Sequence, residues 1–116
     1  MTTSLVPNVP WWSYLATYDY GTPFVGTAHG SDIEEVFAAL PLVEPGNAVM
    51  TYYISFVNHL DPNAISTTKP LIEWPPWTNN ERQLLNFSKT SNSLTKDVFR
   101  EQSYEYLRTH WSILRV

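Results

Sequence analysis

The sequence predicts an α/β fold, and one that is incomplete as an autonomous domain. Three observations predict it. A segment near the start is rich in strand formers and apolar on both faces, as in a strand covered from both sides. The stretch from Gly46 to Leu60 carries an apolar helical stripe so wide that it needs a large surface to lie on. Only one further short strand is legible, too few to build the sheet that such helices cover.

Taken in order, Val9 to Tyr18 is the two-sided strand, with Trp12, Tyr14, Ala16 and Tyr18 on one face and Trp11, Ser13, Leu15 and Thr17 on the other. Gly21-Thr22-Pro23 breaks it, Phe24 and Val25 form a short apolar pair, and Gly26-Thr27-Ala28-His29-Gly30 is a loop of small residues that holds a histidine close to backbone. Ser31 or Asp32 then caps a short helix. Glu34 and Glu35 stand three residues on from each in capping-box spacing, Ile33, Val36 and Phe37 supply the apolar side, and the helix ends before Pro41. Gly46-Asn47 opens the clearest helix, whose stripe is Val49, Tyr53, Phe56 and Leu60, widened by Met50, Ile54 and Val57.

Asp61-Pro62-Asn63 stops that helix, and residues 64–82 form a long loop bearing Lys69-Pro70 and Glu73-Trp74-Pro75-Pro76-Trp77. A loop of this length needs something to lie on. Gln83 to Phe87 reads as a short edge strand, and Thr90 to Ser93 as a turn. Thr95-Lys96-Asp97 opens a final helix that buries Phe99, Tyr106, Leu107 and Trp111. No repeat or low-complexity tract interrupts the chain, so residues 1–116 are expected to form part of one domain with no further boundary.

Composition narrows the function classes. With 43% hydrophobic residues, five Trp, seven Tyr and five Phe, the chain buries a core instead of remaining disordered. Seven Lys and Arg against 11 Asp and Glu give a net charge of −4, which disfavours a nucleic-acid partner. The absence of Cys removes disulfides, thiolate chemistry and Cys-based zinc sites. No run approaches the length of a membrane span, and Met1 to Pro7 lacks the basic flank and apolar run of a secretory signal, leaving the compartment of this chain undetermined.

Four stretches carry a family resemblance: Trp12-Ser13-Tyr14-Leu15; Gly21-Thr22-Pro23-Phe24-Val25-Gly26-Thr27-Ala28-His29-Gly30-Ser31-Asp32-Ile33; Phe56-Val57-Asn58 through Leu60-Asp61-Pro62-Asn63 with Trp74-Pro75-Pro76-Trp77-Thr78; and Asp97-Val98-Phe99-Arg100 with Tyr106-Leu107. In this order and spacing they resemble the C-terminal end of the type-B carboxylesterase and lipase family, most closely its fungal lipase branch. The resemblance implies an α/β-hydrolase fold, of which this chain holds the last core strands, the catalytic-histidine loop and the closing helices. It further implies ester hydrolysis by a serine nucleophile without metal or cofactor, and secretion of full-length relatives. His29 corresponds to the catalytic histidine, serving as general base and then acid, with Gly30 and Asp32 supporting its loop.

In this fold the triad runs Ser, then Asp or Glu, then His along the chain, so a segment with only the histidine is the downstream end. The sequence contains no Gly-x-Ser-x-Gly, no His-Gly-Gly oxyanion loop and no upstream acid loop. Ser31, two residues from His29, is too local for triad geometry and reads as a cap. The expectation is therefore a chain inactive alone, meeting a carboxylic-ester or lipid substrate only when completed by an N-terminal segment. The alternative is a non-catalytic remnant or a small aromatic-rich binding module.

The remaining features have plainer readings. His59 and His110 are helix-end or surface histidines. His29, Asp32 and Glu35 lie within seven residues, but their spacing fits no zinc pattern. The rings of Trp74 and Trp77 are expected to anchor their loop to the rest of the fold, in preference to serving as a polyproline-type ligand or a sugar platform. Asn86-Phe87-Ser88 is a glycosylation sequon, meaningful in a secreted parent. Alone, the chain should leave strand edges and the stripe on the long helix uncovered.

Overall fold

The structure, a computed structural model, describes residues 9–37 and 46–114. Three strands, β1 (Tyr14–Ala16), β2 (Gln83–Phe87) and β3 (Ser93–Lys96), form one mixed sheet in that order. β1 runs parallel to β2 with Tyr14 opposite Leu85 and Ala16 opposite Phe87, and β3 returns antiparallel with Gln83 opposite Lys96. Between β1 and β2 the chain makes α1 (Ile33–Phe37) and α2 (Gly46–His59), and α3 (Glu101–Thr109) closes it. A parallel pair joined through helices is the α/β arrangement that the two-sided first strand called for.

The core forms where α2 lies on one face of the sheet. Ala48, Val49 and Tyr52 of α2 pack with Leu85 and Phe87 of β2 and with Tyr18 and Trp74. Trp74 is 6% exposed, and its ring meets Tyr14, Tyr52 and Phe87 edge to face at centroid distances of 6.1, 5.4 and 5.9 Å. Its indole N–H donates to the Ser13 carbonyl at 3.1 Å, and its own carbonyl accepts the Trp12 indole N–H at 3.1 Å. Asn63 holds its backbone from the other side, accepting the Trp74 amide at 2.8 Å and donating to the Trp74 carbonyl at 2.9 Å. The loop over residues 64–82 is thus fastened to β1 and to the end of α2.

Several expectations need correction. The predicted strand from Val9 to Tyr18 contracts to Tyr14–Ala16, because β1 finds its ladder only in β2; outside it, the Trp11 carbonyl accepts the Trp77 amide of the loop at 2.8 Å. Gln83 to Phe87 is the middle strand of the three, not an edge. Residues 93–96, read as the end of a turn and the start of a helix, pair with β2, so tertiary pairing overrides local propensity and α3 begins only at Glu101. No residue of α3 is buried, and Phe99, Tyr106, Leu107 and Trp111 are exposed, since no other described element packs over them.

The long helix matches its predicted span to within a residue, but only part of the predicted stripe is covered: Val49 is buried and Tyr53 packs against the core, while the buried face is shifted toward Ala48, Tyr52 and Ser55. Ala48, Val49, Tyr52 and Ser55 face inward, while Phe56, Val57 and Leu60 are exposed. Ala48, Val49 and Tyr52 cluster with the Trp74 ring and with Leu85 and Phe87 of β2, whereas Ser55 serves the turn after the helix, donating to the Asp61 carbonyl at 2.6 Å and accepting the Ile65 amide at 3.2 Å. The helix stops where predicted: Leu60 turns left-handed at φ 59°, and the Asp61 carboxylate accepts the Asn63 amide at 2.8 Å. Trp74 and Trp77 are buried against this chain's own residues, Trp77 stacking on Trp11 at 4.5 Å, which removes the platform and peptide-ligand readings. The approach of the first helix to Pro41 lies outside the described residues.

What remains outside is apolar. Ile33, Phe37, Ile54 and Val57 line an open groove between α1 and α2, and Ile33, Phe37 and Val57 are each more than half exposed. The isolated chain is expected to bind a dye that reports apolar surface; a cooperative, monomeric melt with no dye binding contradicts this. Trp74→Ala is expected to remove about 3–5 kcal/mol and with it the aromatic circular dichroism, whereas Val57→Ala on the open groove changes stability by under about 0.5 kcal/mol in denaturant titration.

Candidate functional site

His29 sits on a loop that leaves the carboxyl end of β1, the end of a parallel strand at which α/β folds place their ligands. The base of that loop is closed by its own hydrogen bonds. The Thr27 hydroxyl accepts the Asp19 amide at 3.2 Å, and the Thr22 hydroxyl donates to the Asp19 carbonyl at 2.8 Å. The excursion from Tyr20 to Val25 is exposed, with Phe24 held at φ 74°.

A second, tighter turn carries the histidine. The Ser31 amide and hydroxyl both donate to the Ala28 carbonyl, at 3.2 and 2.9 Å, leaving His29 and Gly30 at its crest. Gly30 adopts φ +80°, where an L side chain is strained although a Cβ would make only an ordinary 3.5 Å contact with Ile33 Cδ1, so glycine is required for backbone conformation and not for room. The Gly30 carbonyl accepts the Ile33 amide at 3.2 Å, which leads directly into α1. The His29 side chain is exposed, and among the described residues no hydrogen bond joins it to a serine or a carboxylate.

Asp32 stands at the junction. Its carbonyl accepts the Val36 amide at 3.0 Å and starts α1. Its carboxylate accepts the Tyr14 hydroxyl from β1 at 3.0 Å, and the Tyr14 oxygen in turn faces the Tyr53 hydroxyl of α2 at 3.4 Å. Burial pushes the Tyr14 hydroxyl well above the ordinary tyrosine range, and its contacts with Tyr53 and Asp32 act in the same direction. Burial also raises Tyr18, which lies beneath the same turn, with Ser31 beside it pulling the other way.

Of the predicted residues, Gly30 and Asp32 thus shape the turn that presents His29. Ser31 does not cap α1: its hydroxyl turns back to Ala28. Among the described residues no three His, Asp or Glu side chains gather as a metal site. His59 ends α2, and His110 ends α3, its Nδ1 lying 2.8 Å from the Tyr106 carbonyl. The side-chain oxygen of Asn86, from the glycosylation sequon, accepts the Thr17 hydroxyl at 2.8 Å. Tyr14 and Tyr53 were legible only as apolar stripe positions; the signal available was their identity as Tyr, which brings a hydroxyl that must find a partner when buried.

No protein-family model matches the chain. Individual proteins do. A secreted triacylglycerol lipase of Gibberella zeae is 44% identical over 110 residues, covering 95% of this chain and 18% of its own length. Secreted lipase 1 of Botryotinia fuckeliana is 46% identical over 103 residues, 89% of this chain and 18% of the relative. Lipase 2 of Geotrichum candidum is 32% identical over 107 residues, 91% and 18% respectively. The chain therefore matches these proteins over nearly all of its own length and spans under a fifth of theirs.

The Tyr14 hydroxyl sets an alkaline limit. Its proton is held more tightly in the folded chain than at the ordinary value of 10.0, so stability is fully present below that pH and falls as pH rises above it, where only the unfolded chain ionises. Tyr14→Phe is expected to flatten the part of this decline that Tyr14 causes, read as unfolding free energy against pH alongside tyrosinate absorbance. An unchanged decline in Tyr14→Phe excludes Tyr14 as its source.

Proposed function

The chain belongs to the lipase and carboxylesterase family of the secreted fungal lipases, and from that premise we propose that residues 1–116 are the C-terminal, histidine-bearing part of a type-B serine carboxylic-ester hydrolase. The observation that carries this reading is the placement of His29: exposed, on a glycine-shaped crest at the carboxyl end of a parallel strand, in a chain 44% identical to a secreted triacylglycerol lipase. The complete protein, in this reading, has an α/β-hydrolase fold, is extracellular, and cleaves carboxylic esters, with triacylglycerol as the class suggested by that relative.

The chemistry assigned to His29 follows from its surroundings. An imidazole exposed on this side, with both ring nitrogens unengaged among the described residues, is able to meet two groups at once, a serine hydroxyl at one nitrogen and a carboxylate at the other. It takes the serine proton as the oxygen attacks the ester carbonyl and gives it to the departing alkoxide; in deacylation it takes a proton from water and returns it to the serine. The serine, the acid and the oxyanion donors come from the upstream part of the polypeptide. Without them the chain is inactive.

A chimera tests this directly. The 110-residue segment of the Gibberella zeae lipase that matches is replaced by this chain, and hydrolysis of short- and long-chain esters is assayed. Activity is expected with His29 in place and a loss of at least about a thousandfold in His29→Ala, since the triad acts as a unit. A folded, active chimera that keeps its rate in His29→Ala overturns the assignment.

A further inference from the structure

We propose that Tyr14 and Tyr53 are positioning residues for the reaction: the Tyr14 hydroxyl donates to the Asp32 carboxylate, the Tyr53 hydroxyl donates to the Tyr14 oxygen, and this chain of hydrogen bonds pins the His29 turn to β1 and α2. The inference rests on the reading of His29 as the general base and adds to it the device that aims the base. Three observations carry it.

First, the three groups come from three different elements: Tyr14 from β1, Tyr53 from α2 and Asp32 from the first residue before α1. A contact spanning all three fixes a position that no single element sets. Second, the backbone of the turn from Ala28 to Ser31 is bonded within itself, to Ala28 and Gly30, with Ser31 lying beside Tyr18. Those bonds define its shape but not its place over the sheet. The Asp32 side chain, next to that turn, is hydrogen-bonded to the strand, and it lies three residues from His29.

Third, the anchor is rigid. Tyr14 packs edge to face on Phe87 at 5.5 Å and on Trp74 at 6.1 Å, so its hydroxyl has little freedom to follow a wandering loop. The loop must come to it. Because a displacement of about 1 Å at a reacting group costs on the order of a hundredfold in rate, a partial release of the turn is expected to appear in the turnover and not in substrate binding.

The tether requires a hydrogen-bond acceptor at position 32, not a charge. This separates it from a carboxylate that orients or charges the imidazole directly. It also predicts how substitutions combine, since removing either end of one bond leaves nothing for the second substitution to remove.

The test uses the chimera, with kcat expressed per active serine titrated by a phosphonate ester, so that unfolded protein is not counted. Tyr14→Phe and Asp32→Ala are each expected to lower kcat about tenfold with KM within about twofold, the Tyr14→Phe/Asp32→Ala double variant no further, and Tyr53→Phe about threefold. Asp32→Asn, whose amide oxygen still accepts from Tyr14, keeps most of kcat. The proposal is overturned by full turnover in Tyr14→Phe, by additive losses in the double variant, or by Asp32→Asn falling as far as Asp32→Ala. If Tyr14→Phe yields no titratable enzyme, the comparison of Asp32→Asn with Asp32→Ala decides. Loss of activity in His29→Ala beside an unaffected Tyr14→Phe removes the positioning role and leaves the histidine; activity in His29→Ala removes the reading on which both stand.

Discussion

The seating of Trp74 is the constraint on which the rest of the structure depends. Its ring fills the space between α2 and the sheet, its indole N–H reaches the Ser13 carbonyl, and Asn63 grips its backbone on both sides. One residue thereby ties the long loop, the end of α2 and the start of β1 together. Tyr14 leans on that ring, and through Tyr14 the effect reaches Asp32 and the histidine turn. The path from an aromatic core residue to an exposed imidazole is a short series of contacts, each with its own physical cause.

How much of this was legible depends on whether the deciding interaction is local. The span of α2 and its stop at Asp61-Pro62-Asn63 were readable because periodicity and turn chemistry act within a few residues. The face that α2 buries was legible only in part. A reading that follows the bulkiest apolar residues selects Phe56 and Leu60, whereas the Trp74 cluster and the turn after the helix bury Ala48 and Ser55. Strand β3 was invisible for the same reason: its sequence is ordinary, and only its pairing with β2 makes it a strand.

The site divides similarly. His29 was singled out by resemblance to a family motif, and its glycine neighbours agreed with a tight turn. Asp32 was placed beside it on the same motif, but nothing in the sequence paired it with Tyr14, eighteen residues earlier. The burial expected for Phe99, Tyr106, Leu107 and Trp111 assumed that a helix near the end of the chain had a partner within it. The relatives are more than five times as long, and this chain matches under a fifth of them.

The parallel pairing of β1 with β2 has a consequence for the order of events during synthesis. Tyr14 lies opposite Leu85, so β1 has no ladder until the chain has been extended past the loop and into β2. A nascent polypeptide that already displays the histidine turn lacks the strand that supports it, and the chain must leave the ribosome as far as Phe87 before that support exists. A product cut short before β2 keeps the histidine turn but loses the strand that pairs with β1.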